Sequence, residues 1–114
     1  MKTASLTDNL SYGNQKPIIQ VLLESDSAKE IRIVFKKDQH MKRHQTSFPI
    51  VVEVFEGHID FGVNDKEVVE MKRGDLIALK ANVPHDLKAR ADSIVRLSLV
   101  KADSVERVKQ VLED

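Results

Sequence analysis

The chain has 114 residues and no cysteine, and its 18 Lys+Arg balance 18 Asp+Glu for a formal net charge of zero. That length fits one domain with a single self-sufficient core, and the missing cysteine excludes disulfides, thiolate zinc sites, iron–sulfur clusters and cysteine nucleophiles. The charge balance speaks against nucleic-acid and membrane partners, because binding to phosphate or to an acidic bilayer needs a basic surplus on some face.

Residues 1–17 are polar, carry Ser11-Tyr12-Gly13-Asn14 and Pro17, and read as an irregular arm. They lack the apolar stretch of a secretory leader, and no later run approaches the ~18 apolar residues of a membrane span. A soluble, cytoplasmic protein is the expectation. From residue 18 the pattern becomes short segments rich in Val, Ile and Phe: 18–24, 31–37, 48–55, 59–63, 68–71, 76–80, 86–91 and 94–100. Turn signals separate most of them, among them Ser25-Asp26-Ser27, Glu56-Gly57, Asn64-Asp65, Arg73-Gly74-Asp75 and Asn82-Val83-Pro84. Eight strands at this spacing predict an all-β sandwich or barrel over 18–100. No helix-period segment interrupts them to suggest βαβ units.

The alternation adds detail. Ile50, Val52 and Val54 share one apolar face, as do Ile59, Phe61 and Val63, while the opposite faces are mixed. Val51 and Phe55 put apolar area on the outer side, and 18–23 is apolar apart from Gln20, so a homodimer is expected to cover them. At the C-terminus, Asp103 and Glu106 form a capping-box pattern, and Val105, Val108, Val111 and Leu112 fall at helical spacing. A short helix over 103–112 is predicted. Being marginal alone, it should dock on the barrel or on a second subunit.

Four histidines are the residues suited to titrate near neutrality or to hold a borderline metal. His85 opens a segment in which His85, Leu87 and Ala89 share the apolar face, the position of a core histidine. His44 shares the parity of Thr46 and Ile50 along a regular strand, although its charged neighbours Lys42 and Arg43 suit a loop. His40 precedes it by four residues, roughly 13 Å along an extended chain, too far to share one metal. His58 falls with Asp60 on a polar face, and Glu53, Glu56 and Asp60 read as solvated charge rather than a catalytic carboxylate pair. Phosphate loops, nucleophile elbows and H-E-x-x-H zinc motifs are absent from the sequence.

Residues 40–57, from His40 to Gly57, resemble the first motif of the cupin family, G-x5-H-x-H-x3,4-E-x6-G. Residues 74–85, from Gly74 to His85, resemble the opening of its second, G-x5-P-x-G-x2-H-x3-N. The resemblance covers roughly 31–100 and implies a cupin-type double-stranded β-helix, a jelly-roll barrel, which the predicted short C-terminal helix follows. It places His44 on the first metal histidine and His85 on the motif-two histidine. Thr46 stands at the second histidine, Ile50 at the glutamate, Asp38 at the opening glycine, Asn82 at the motif-two glycine and Ala89 at the closing asparagine. Asn82 still tolerates a positive φ, so the turn can survive there.

With two of four ligands replaced, the resemblance implies only weak divalent metal binding at His44 and His85, and no resident cofactor. The favoured function is a small organic ligand held in the barrel by His44, Thr46 and His85 among Ile50, Val52, Val54, Phe61 and Leu87, or a regulatory or structural module, without catalysis. The alternative is a metal-dependent oxygenase or isomerase using His44, His85 and an irregularly placed His40. A barrel too full for any ligand would point instead to a dimerisation module. Replacing His85 by alanine is expected to cost little stability unless its ring makes a buried hydrogen bond.

Overall fold

The computed structural model describes residues 1–102 and the helical backbone of 105–113, with helix side chains at 108–112. Its strands are β1 (Ile18–Glu24), β2 (Ala28–Phe35), β3 (His40–His44), β4 (Ile50–Glu56), β5 (His58–Val63), β6 (Glu67–Lys72), β7 (Leu76–Leu79), β8 (His85–Ala89) and β9 (Ser93–Val100), followed by α1 (Val105–Glu113). One sheet has the order β1-β2-β9-β4-β7 and the other β3-β8-β5-β6, with every recorded pairing antiparallel. Two facing antiparallel sheets make the jelly roll that strand number and spacing predict.

The β-branched alternation decides which side of each sheet is dry. Ile31, Ile33 and Phe35 of β2, Ile50, Val52 and Val54 of β4, and Val95, Leu97 and Leu99 of β9 turn into one buried cluster. Met41, Ile59, Phe61, Leu87 and Ala89 meet them from the second sheet. Each fully buried aliphatic or aromatic side chain contributes about 1.5–3 kcal/mol, so this interdigitated layer dominates the stability. The even-numbered face of β4 lies inside, as its alternation requires.

Three details depart from the sequence reading. β3 is a ninth strand, invisible to a hydrophobic pattern because His40, Lys42, Arg43 and His44 surround one apolar Met41. β2 begins three residues earlier than the apolar run, at Ala28, because pairing with Val100 carries the ladder outward. The described helix, Val105–Glu113, runs one residue past the expected end at 112, and positions 103 and 104, including Asp103 of the expected capping box, lie outside the described residues.

The arm at 1–17 has no regular structure, but it is pinned. Arg32, only 2% exposed, points to the outer side of β2. It donates to the carbonyl oxygens of Leu6 (3.2 Å), Asp8 (2.9 Å) and Asn9 (3.4 Å) and to Gln20 Oε1. Gln39 Nε2 donates to Gly13 O at 2.7 Å, a second tether.

Candidate functional site

The site begins with an irregularity in β3. Met41 pairs with Leu87 and His44 with His85, so three steps along β3 match two along β8. In a regular strand, an inward Met41 would send Arg43 inward and His44 out to solvent. The extra residue is a β-bulge, and it turns His44 into the barrel. Across from it, β8 starts at His85, after a turn in which Asn82 holds φ 66° and donates its N–H to Thr46 O at 2.7 Å. Asn82 therefore preserves the left-handed turn, and Asp38 does the same at φ 76°. Both positions keep the backbone of the motif glycines they replace.

His44 and His85 face each other with ring centroids 4.3 Å apart and planes tilted by 59°. Phe61 stacks behind His85 at 5.6 Å, nearly parallel. His85 is 2% exposed and His44 half-buried. Nδ1 of His44 lies 2.8 Å from Lys42 O, and Nδ1 of His85 lies 2.9 Å from Val83 O. A carbonyl oxygen only accepts, so both Nδ1 atoms carry the proton. In each neutral ring, Nε2 is then the acceptor.

The two imidazoles line a cavity whose other walls are apolar: Ile33, Met41, Ile50, Val52, Leu87, Val95, Leu97 and, from α1, Val108. About 10 Å³ of free volume remains, the lower bound for one water. Of the residues expected to touch a ligand, His44, Ile50, Val52, His85 and Leu87 meet at this cavity. Thr46 and Phe61 are buried outside the lining: Thr46 Oγ1 accepts from Phe48 N–H at 3.3 Å, and Phe61 supports the His85 ring. The sequence reading missed Ile33, Met41, Val95, Leu97 and Val108 as cavity walls. Period-2 alternation along β9 carried the signal for Val95 and Leu97, and the helical stripe carried it for Val108.

The remaining histidines lie elsewhere. His40 Nε2 meets Asp86 Oδ2 at 2.8 Å on the outer face of the four-stranded sheet, so it cannot complete a site with His44 and His85. His58 is half-buried against Glu70 at 3.1 Å rather than fully solvated. On the same face Arg90 donates to Asp60 at 2.6 Å, a hydrogen bond that raises its pKa above the ordinary arginine value. Glu53 and Glu30 both pair with Arg96, at 2.8 and 3.1 Å, which accounts for Glu53 as a neutralised charge.

A catalytic divalent metal generally takes three or more protein ligands. Among the described residues, no group of three metal-binding side chains comes together, and Thr46 and Ile50, where the resemblance would place two further ligands, are not metal-binding types of that kind. The donor set does not fit a resident catalytic metal.

Residues 32–101 match the protein family described as Cupin domain. No curated protein matches the chain. Among solved structures, it is similar to an RmlC-like cupin protein from Desulfovibrio desulfuricans, at 22% identity and a TM-score of 0.80, covering 88% of this chain and 96% of the other. An uncharacterized conserved protein with a double-stranded β-helix domain from Klebsiella pneumoniae is 19% identical at a TM-score of 0.76, covering 88% and 89%. KdgF from a Halomonas species is 12% identical at a TM-score of 0.68, covering 78% and 81%. At these identities the likeness is one of fold.

Proposed function

The chain belongs to the cupin domain family, and from that premise we propose that it binds a small organic ligand inside its barrel, anchored by His44 and His85, without metal-dependent catalysis. The observation that carries this reading is the imidazole pair, 4.3 Å apart in a cavity whose other walls are apolar. Each ring is oriented by its Nδ1 hydrogen bond to a carbonyl of its own chain. Two imidazoles in an otherwise apolar wall suit a hydrophobic molecule carrying one polar end, such as a hydroxyl or amine. A donor satisfied in such surroundings discriminates strongly against analogues that lack it.

Phenol and toluene, alike in shape and different in the hydroxyl, test this in ligand-detected NMR. Phenol should bind the wild type more tightly than toluene, and His85→Phe should weaken phenol about tenfold, or about 1.4 kcal/mol. Equal binding of both compounds, or phenol binding indifferent to His85→Phe, overturns the reading.

A second reading has its own support. With about 10 Å³ left among the walls, the barrel is nearly full, as a structural or regulatory module would be. The enzyme alternative, an oxygenase or isomerase centred on His44 and His85, has only two histidines to work with. Homodimerisation and a cytoplasmic location complete the proposal. The first is supported by an uncovered apolar groove of about 240 Å³ along Val51, Ala78 and Val100. For the second, the chain lacks cysteine, and among the described residues no helix is long and apolar enough to cross a membrane.

A further inference from the structure

Among the described residues, Val108 is the α1 side chain lining the His44–His85 cavity, and the other described walls come from β2, β3, β4, β8 and β9. The strand walls are joined by hydrogen-bond ladders on both sheets, regular between β2 and β9 and bulged in β3. The helix is not. It is nine residues long, marginal in isolation, and held by Val108, Val111 and Leu112 against the core while Lys109 and Gln110 face solvent. Val108 itself is 1% exposed. Opening a strand wall would break a backbone ladder, whereas among the described residues the helix is held by apolar side-chain packing. The element that closes the cavity is thus its cheapest wall to move.

We propose that α1 is the gate of the cavity and that Val108 is its size-determining residue. The closed barrel admits about one water, and ligands of phenol size enter only when α1 undocks. This inference rests on the cavity being the ligand site. In such an equilibrium the apparent affinity scales with the open fraction. Weakening the dock should therefore tighten binding even where the cavity lining is untouched.

The test uses the full chain and phenol. Amide hydrogen exchange of the wild type should show α1 opening at least a hundredfold faster than β2 and β9, and saturating phenol should deprotect α1 alone. Val108→Ala removes the plug, and Val111→Ala loosens the dock without altering the lining. Each should raise phenol affinity severalfold, and Val111→Ala also separates gating from simple enlargement. If phenol binds in a His85-dependent manner with α1 protection unchanged and equal affinity in both variants, the gate is overturned and the site stands. If phenol binds neither the wild type nor Val108→Ala, the site itself is wrong and the gate falls with it.

Discussion

At the scale of single residues, two of the buried polar side chains, Arg32 and His85, are large and come at some cost. Arg32 lies opposite Arg96 in the β2–β9 register, and among the described residues no carboxylate pairs with it. Its charge is met by backbone carbonyls and Gln20, and its Nε is buried without a partner. Arg32→Met should cost about 1–3 kcal/mol in urea unfolding, because the carbonyls it serves lose a charged donor. Protease cleavage within 1–17 should accelerate in the same variant. His85 makes the buried hydrogen bond that decides its worth, to Val83 O, and stacks on Phe61. His85→Ala should therefore destabilise by about 1–3 kcal/mol, more than the sequence alone suggests. The pair should hold divalent metal weakly, below one equivalent after dialysis against a mild chelator, and more weakly still in acid, because a protonated imidazole cannot coordinate. One retained equivalent, lost in both His44→Ala and His85→Ala, would make the protein a metalloprotein.

At the scale of elements, function depends on where the strands are imperfect. The β3 bulge inserts one residue between Met41 and His44, and that single residue decides whether His44 meets His85 or water. The β7–β8 turn is as specific. Asn82 at φ 66° donates to Thr46 O and so ties the start of β8 to the end of β3. Asn82→Gly should leave stability nearly unchanged, while Asn82→Ala should cost about 1–2 kcal/mol through the left-handed backbone, read by thermal melting. Gly57 is stricter, since it combines φ 99° with a Cβ position that collides with Ser93 Oγ and Asp92 O.

At the scale of the whole molecule, the two outer faces differ. The four-stranded sheet carries the polar side-chain pairs His40–Asp86, His58–Glu70 and Arg90–Asp60 on its outer face. The five-stranded sheet carries the arm near Arg32 and an apolar groove beyond the Glu30–Arg96–Glu53 network. Val51, 39% exposed, lies in that groove, and Leu76 on edge strand β7 is 62% exposed. Light scattering at micromolar concentration should give twice the monomer mass, and Val51→Lys should return it to the monomer, because a charge on an apolar interface must be desolvated. A wild-type monomer would refute the homodimer.

The sequence by itself determined the all-β class, the inner faces of β4, β5 and β8, the tolerated turn at Asn82 and the pairing of His44 with His85 as motif positions. These are properties of local alternation, turn chemistry and motif spacing, which a linear string carries in full. It did not determine β3, whose pattern is polar, nor that His40 turns outward to Asp86 while His44 turns inward, since a bulge has no hydrophobic signature. The filling of the barrel was also out of reach. Free volume is the small remainder after many side chains from five strands and a helix are packed together, and only their tertiary placement leaves about 10 Å³ and brings Val108 to the cavity wall.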